Sequence, residues 1–544
     1  MKTQKNYVAI ANVLEECVAY AKSLKVRMEN PQGIKEYFQI SDISLTFLNY
    51  ETRGLSLSNG ISGTIVETSD PSQLLVQIWI TNAHKTVGKL FAYPGLLPDP
   101  TYLKMHFNSV IQSNIRDAVN AFFTTQTKDN KYSLVSEDAV VSDINELPPF
   151  EEFTSDGITQ IKKLFRWLYI KSNISLVKGD LSMERKIWIV CNGSGTKIIQ
   201  HQDHCSLVVM FDYLSSKKNI IEDIFVDHYK TFKEVVAALP DMKTKIMKKL
   251  SKMEQKRIEG GVYPVLLKST AVATLFHEAI AGHMLSGSYI VDGVSTVFEN
   301  KLNKKIGKKT EMPGLFDVSV YDQPLDVDKI AHYKYDMEGV SAKDICLLDK
   351  GIVKNYLTDR NSAIRLKQKS NGHNLAQSFV AATSNGKLLL TIPEPRVSNL
   401  FVQSHTDITL AEISASVFES FDFYLEVESR AGEVFVDTGV FDLLADHITR
   451  VWKDGRRESV APGTFSGSLT DFLASIQMVS NHYGESKGFC GSGSGMVPTH
   501  EVAPAMLLYG INFVTEPKPE KELHMDLKKD KYVPKEWLEE LEIE

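Results

Sequence analysis

Residues 261–287 read GVYPVLLKSTAVATLFHEAIAGHMLSG, and this stretch is the most informative part of the 544-residue chain. The apolar run VYPVLL is followed by good helix formers over 271–280, which predicts a strand leading into a helix. His277 and Glu278 are adjacent on that helix, and His283 follows six residues after the first histidine. Two imidazoles and a neighbouring carboxylate are the skeleton of a zinc hydrolase site, in which the carboxylate acts as general base.

The spacing of these two histidines conflicts with a regular α-helix. Six residues turn such a helix by about 600°, which leaves the second side chain roughly 120° away from the first and about 9 Å further along the axis. Two imidazole nitrogens on one tetrahedral zinc should lie only ~3–3.5 Å apart. We therefore predict a π-type bulge or a break at residues 281–282, where glycine offers the least steric resistance. The alternative is a regular helix whose histidines are structural and bind no metal.

The sequence predicts two domains, and short β-like runs dominate after about residue 300. A lysine-rich helical segment ends at Gly260 and Gly261, and we place a domain boundary there, between residues 1–259 and residues 260–544. The first part alternates long helical stretches with β-branched runs, which predicts an α/β domain with a mixed or antiparallel sheet. The second part carries short β-like runs separated by turn signals, which predicts a β-rich, barrel-like domain. The expected fold class is α+β.

Composition excludes several classes of protein. Hydrophobic residues make up 43% of the chain and charged residues 24%, so a mainly disordered or collagen-like chain is excluded. The net charge of -7 gives no general electrostatic reason to expect binding to nucleic acid or to an anionic membrane. The five cysteines are widely spaced, no segment has the continuous apolar core of a signal peptide, and no apolar run approaches the ~20 residues that span a bilayer. We predict a cytoplasmic protein that binds neither nucleic acid nor membrane.

Further motifs follow the histidine helix in a fixed order. They are DMEGVSAKDICLLDKGIVKNYLTDRNSA at 336–363, SNGHNL at 370–375, IPEPRVSNLFV at 392–402 and GFCGSGSGMVP at 488–498. Together with the histidine helix they resemble the TldD/PmbA family of metalloproteases, the modulator-of-gyrase type, over nearly half of the chain. The family spaces its two histidines five residues apart, and this chain has one residue more between them.

The resemblance implies a zinc (Zn²⁺) peptidase and suggests a role for individual positions. His277 and His283 match two metal ligands, Cys490 in the glycine-rich loop matches the third, and Glu278 matches the catalytic base. The resemblance also implies a dimer, homodimeric or paired with a related family member, that encloses the active site and cleaves unfolded or extended peptides. The alternative is a non-catalytic member that binds peptide or completes a partner subunit's chamber without metal.

Four residues in the family-like segments are candidates for contact with a peptide substrate: Arg360, His373, Arg396 and Asn399. The guanidinium of Arg396 has donors suited to a peptide carbonyl or a terminal carboxylate, and it is equally suited to bridging strands.

The segment HQDHCS at 201–206 holds two histidines and a cysteine close together in sequence. In a strand His201 and Cys205 face one side and His204 the other, so the three side chains cannot converge on one ion. We interpret this segment as structural.

Overall fold

The computed structural model describes residues 6–29, 33–69, 72–82, 86–124, 140–216, 219–253, 255–295, 297–382, 388–429, 431–515, 521–522 and 531–542. Strands in several sheets are combined with helices that pack on them, which confirms the predicted α+β class.

The α-helices are, in chain order, α1 (Tyr7–Ser23), α2 (Pro100–Thr124), α3 (Ser155–Tyr169), α4 (Phe232–Leu250), α5 (Ser269–Phe276), α6 (Gly287–Val291), α7 (Arg360–Arg365), α8 (Leu410–Ser420), α9 (Leu469–Ser475) and α10 (Lys535–Glu542). A π-helix covers His277–Ala281, and a 3₁₀-helix covers Pro313–Asp317. None of the helices within the described ranges is both long enough and apolar enough to cross a bilayer.

The strands are β1 (Lys25–Glu29), β2 (Lys35–Ser58), β3 (Ile61–Ser62), β4 (Val66–Ser69), β5 (Ser72–Thr81), β6 (Thr86–Leu96), β7 (Ser142–Asp143), β8 (Ile174–Asn192), β9 (Lys197–Leu214), β10 (Asn219–Tyr229), β11 (Gly261–Val262), β12 (Val265–Leu267), β13 (Val318–Asp322), β14 (Ile345–Asp349), β15 (Ile352–Val353), β16 (Asn374–Leu375), β17 (Val380–Ala382), β18 (Leu388–Leu390), β19 (Glu394–Pro395), β20 (Asn399–Ser404), β21 (Phe423–Glu428), β22 (Ala431–Phe435), β23 (Val440–Ala445), β24 (His447–Trp452), β25 (Arg457–Val460), β26 (Gly463–Ser468), β27 (Ile476–Ser492), β28 (Gly495–Leu508), β29 (Asn512–Thr515) and β30 (Lys521–Glu522).

The first sheet has the order β30-β10-β9-β8-β2-β5-β6, and its main strands pair antiparallel. Successive side chains of a strand point to opposite faces, and β8 shows the consequence. Ile187 and Ile189 pack with α1 and α2 on one face, while Trp188 and Val190 pack against the second half of the chain on the other. The predicted mixed or antiparallel sheet is present, and one of its faces supports the elements that carry the candidate site.

The second half of the chain contains a ten-stranded sheet and a five-stranded sheet. Their orders are β15-β14-β13-β20-β28-β12-β21-β24-β25, with β27 paired to β28, and β11-β29-β26-β23-β22. Helix α5 and apolar side chains of both sheets share one core. The pairings among the described strands leave both sheets open, so the barrel-like form that we expected is not confirmed. The physical reason is that the buried helix lies in the core between the sheets.

The end of the chain returns to the first sheet. Strand β30 pairs with β10, and the ring of Trp537 in α10 packs edge-on against Tyr169, with centroids 6.3 Å apart. The domain boundary at residue 260 stays a prediction.

Candidate functional site

Helix α5 changes to π-helical geometry at His277. The Gly282 amide donates to the His277 carbonyl at 2.7 Å, and the Leu285 amide donates to the Ile280 carbonyl at 2.9 Å. Both hydrogen bonds span five residues, so the π-type bulge predicted from the histidine spacing is confirmed. Gly282 makes this turn possible, because a Cβ there would lie 2.9 Å from the His277 carbonyl oxygen and 3.1 Å from its Nε2.

The distorted turn brings the sequence-predicted residues into one cluster. The candidate ligand atoms of His277, Glu278 and Cys490 all lie within 4.8 Å of one another. His283 lies beside this set: its Nε2 is 3.0 Å from Glu278 Oε2 and 3.7 Å from Cys490 Sγ, and its ring centroid is 6.4 Å from that of His277. Three of the four side chains therefore meet around one point, and the fourth contacts two of them.

A buried carboxylate that sequence reasoning missed orients the first histidine. Glu501 on β28 places its Oε1 3.0 Å from His277 Nδ1, which directs the opposite ring nitrogen, Nε2, toward the cluster. The His277 ring is buried, and its side chain also interacts with the thiol of Cys490. A buried imidazole beside a thiol and a second imidazole fits the nitrogen and sulfur ligands that zinc prefers. The only sequence signal for Glu501 was an acidic residue just before an otherwise apolar strand segment.

The charges of the cluster are mutually dependent. Burial alone would raise the pKa of the Cys490 thiol, but the charge and hydrogen bond of His277, the hydrogen bond of His283 and the charge of Arg396 outweigh it and hold that pKa at about 5. Burial alone would lower the pKa of His283, but Cys490 and Glu278 raise it to about 9. Binding of a divalent cation to this set would displace protons from the imidazoles.

Arg396 holds the hairpin that carries Cys490. Its side chain is only 1% exposed. The guanidinium donates from Nη2 to the Cys490 carbonyl at 2.6 Å, and from Nη1 to Ser494 Oγ at 2.7 Å and to the Gly495 carbonyl at 2.8 Å. These contacts correspond to the strand-bridging alternative, and contact of Arg396 with a substrate stays a prediction.

The first sheet supports the same hairpin from behind. Lys186 on β8 donates its ammonium to the Ala376 carbonyl, and Tyr50 on β2 donates its hydroxyl to the Gln377 carbonyl. The Gln377 amide in turn donates to the Ser494 carbonyl in the hairpin turn, at 2.8 Å. The two halves of the chain therefore share the support of Cys490.

Two other substrate candidates, His373 and Asn399, are buried and contact the end of β13. His373 is fully buried, with Nε2 3.0 Å from Asp322 Oδ2 and Nδ1 2.9 Å from Asn371 Oδ1. Asn399 donates from Nδ2 to the Gln323 carbonyl at 3.0 Å. Contact of His373 or Asn399 with a substrate stays a prediction.

Arg360 begins α7, and its amide donates to Glu338 Oε2 at 2.8 Å. Its side chain is largely buried, and its contact with substrate likewise stays a prediction.

The histidines of the first sheet remain separate from the cluster. The Nε2 of His204 lies 3.1 Å from His228 Nδ1, and the His204 ring packs edge-on against Phe489 with centroids 4.6 Å apart. Cys205 is buried in the core under α3 and α4. His204 and Cys205 therefore lie on opposite faces of β9, as the alternation of side chains along a strand predicted.

Comparison with known proteins finds similarity to metallopeptidases. Residues 260–514 match the family model described as the PmbA/TldA metallopeptidase C-terminal domain. A zinc metalloprotease TldD homolog of Saccharolobus solfataricus is 26% identical over 351 residues, which cover 64% of this chain and 69% of that protein. A metalloprotease of Methanocaldococcus jannaschii is 26% identical over 246 residues, which cover 45% of this chain and about half (49%) of that protein.

Solved structures share the fold at lower identity. TldE from Thermococcus kodakarensis superposes with a TM-score of 0.63 at 13% identity, covering 92% of this chain and 100% of that one. A proposed modulator of a DNA gyrase from Thermotoga maritima superposes with a TM-score of 0.61 at 17% identity, covering 92% of this chain and 99% of that one. At these identities the likeness concerns the fold alone.

Proposed function

The chain belongs to the TldD/PmbA family, and we propose that it is a zinc-dependent metallopeptidase that cleaves unfolded or extended peptides. The observation that carries the proposal is the meeting of His277, Glu278 and Cys490 within 4.8 Å at a π-helical turn, with His283 Nε2 3.7 Å from Cys490 Sγ beside them. The metalloprotease names of the relatives support the same reaction class.

His277, His283 and Cys490 are the residues that would hold the metal. A set of two histidines and one cysteine leaves the fourth position of a tetrahedral zinc open, as catalysis requires. Zinc, when bound, supplies Lewis acidity that polarises a substrate carbonyl and acidifies water. Glu501 keeps the His277 ring in the orientation that this role needs.

Glu278 is the proposed general base. Its side chain is 22% exposed, against 5% for His277 and 11% for His283, so it is the most accessible of the three. From this position its carboxylate takes a proton from the attacking water and returns it to the leaving amine when the peptide bond breaks.

The position of an edge strand of the five-stranded sheet supports the proposal of an extended peptide substrate. Strand β22 is the last strand of that sheet, and Gly432 on it packs close to Thr274, one turn before His277. An edge strand offers backbone donors and acceptors to which an extended peptide can pair as an added strand. A peptide bound there would run beside the π-helical turn.

We propose in addition that the protein forms a dimer, with a second copy of itself or with a related family member, and that it acts in the cytoplasm. The likeness of fold to TldE supports partnering within the family. The free state of all five cysteines is in keeping with a reducing compartment.

The test is Glu278→Gln in the purified full-length chain. Cleavage of an unstructured peptide, followed by mass spectrometry, should fall roughly 10²–10⁴-fold, because the amide keeps the shape of the carboxylate but cannot accept the proton. Zinc content, measured by elemental analysis, should remain near that of the wild type, whereas Cys490→Ser should lose metal. Glu419→Gln, at an exposed position on α8, is the matched control. Wild-type protein that binds no zinc and cleaves no peptide would instead support the non-catalytic partner role.

A further inference from the structure

Three lysines surround one carboxylate oxygen on the side of the molecule where α4 meets the ten-stranded sheet. The ammonium groups of Lys248, Lys252 and Lys268 lie 3.4, 3.3 and 3.2 Å from Glu428 Oε1. We call these four residues the lysine cluster. Within the described part of the chain, the recorded hydrogen bonds of all three ammonium groups go to that one oxygen.

The fold assembles the lysine cluster from segments that are far apart in sequence. Lys248 lies in the last turn of α4, and Lys252 follows just after it. Lys268 connects β12 to α5, and Glu428 ends β21. The separation between lysine and glutamate is 180, 176 and 160 residues, respectively, so the cluster is a product of tertiary structure.

A cavity of about 230 Å³ opens at the lysine cluster. Its wall includes the three lysines, Glu428, Arg457 and the hydroxyl-bearing Thr449. A concave wall with several cationic donors and a hydroxyl group suits a small anion with several acceptor oxygens.

The other carboxylates of the wall have cations of their own. Glu426 pairs with Arg457. Glu458 pairs with Arg450 at 2.6 Å and with Lys256 at 2.7 Å. The single negative charge of Glu428 is therefore shared by three ammonium groups. The lysine cluster has a local surplus of about two positive charges, although the net charge of the chain is -7.

This surplus is held in a partly buried place. The side chains of Lys252, Glu428 and Lys268 are 16%, 27% and 32% exposed, and that of Lys248, at the rim, is 58% exposed. Burial lowers the pKa of Lys252, and the charges of Lys248 and Lys268 lower it further against the opposing effect of Glu428. Like charges that share one partner repel one another, and a second anion in the cavity would relieve that repulsion.

We propose that this cavity binds a small oxyanion of the phosphate class, held by Lys248, Lys252 and Lys268 and by the donors of the facing wall. The site is separate from the metal centre, because Lys268 precedes α5 and His277 follows it, nine residues or roughly 13 Å along the helix. The inference therefore does not depend on peptidase activity.

The experiment is calorimetric titration of inorganic phosphate into the full-length protein, with ionic strength held constant by chloride. Wild-type protein should bind one phosphate per chain in a saturable manner. Lys248→Gln and Lys268→Gln should each weaken binding about five- to tenfold, since each removes a charge-assisted donor at a partly exposed position. Lys308→Gln, at an exposed lysine elsewhere, should leave the affinity unchanged.

Glu428→Gln should change the phosphate affinity in the opposite direction. Because it removes the carboxylate that competes for the lysines, phosphate should bind several-fold more tightly than to the wild type. Protein stripped of metal by a chelator should bind phosphate as tightly as zinc-loaded protein, which separates this site from the metal centre. Absence of saturable binding in the wild type, wild-type affinity in both Lys248→Gln and Lys268→Gln, or loss of binding on removal of the metal would each overturn the proposal.

Discussion

We expect Gly282→Ala to destabilise the protein, although replacement of glycine by alanine usually stabilises a helix. The residue has φ −69° and ψ −36°, a conformation open to alanine, and replacement of glycine by alanine in a helix ordinarily stabilises it by about 1 kcal/mol. Here the added methyl group would lie 2.9 Å from the His277 carbonyl oxygen, 3.1 Å from Nε2 and 3.2 Å from Cδ2. The carbonyl already accepts the Gly282 amide at 2.7 Å, so the backbone or the imidazole must move.

The two effects can be compared in size. Overpacking of a buried site costs about 1–3 kcal/mol, so the net effect should be a destabilisation of up to about 2 kcal/mol instead of a gain. Because the methyl group presses on the nitrogen proposed to bind metal, zinc affinity should fall about 10–100-fold, the range for side chains that position a ligand.

Urea denaturation of chelator-treated protein measures the first effect, and competition with a chromophoric chelator measures the second. Gly54→Ala on β2 is the matched control, because a Cβ there meets no atom within 4 Å, and it should leave zinc affinity unchanged. A Gly282→Ala protein that is about 1 kcal/mol more stable than the wild type and binds zinc equally well would refute the reasoning.

Three further outcomes are expected. Arg396→Gln should lower zinc affinity about tenfold by loosening the Cys490 hairpin, whereas a change confined to KM for peptide would support the substrate-binding alternative. Because the pKa of Cys490 is about 5 in the folded protein against an ordinary 9.0, its ionisation contributes stability that is full above pH 9 and is lost as the pH falls to 5. Because the pKa of His283 is about 9 against an ordinary 6.5, its protonation contributes stability that is full below pH 6.5 and is lost as the pH rises through 9. Between pH 6.5 and 5 the contributions of His277 and His283 stay constant and only that of Cys490 changes, so urea denaturation of metal-free protein should show a loss of stability between pH 6.5 and 5 that Cys490→Ser lacks. His204→Ala should change stability modestly and leave zinc content and cleavage rate intact. Loss of zinc in that variant would show that the metal site lies in the first half of the chain and that the proposed site is wrong.

The sequence by itself determined which geometries the motif helix can adopt. A spacing of six residues between His277 and His283 cannot place both side chains on one face of a regular helix, because backbone geometry sets the angle per residue. If both histidines serve one site, the helix must depart from regular geometry, and Gly282 permits the π-helical turn that the structure has at residues 277–281. The α+β class was equally accessible, because strand and helix periodicities are local properties of the chain.

Only the tertiary structure decided which distant side chains meet. Cys490 and His283 are 207 residues apart in sequence, and only the family resemblance, not a local pattern, suggested that they meet. Nothing in the sequence predicts that Glu501 contacts His277 or that Arg396 holds the Cys490 hairpin. The expectation of a barrel was not confirmed for the same reason, since local patterns identify strands but do not say which edges pair. Such contacts depend on strand order and on the packing of opposite sheet faces, which are set by the burial of side chains throughout the molecule and not by neighbours along the chain.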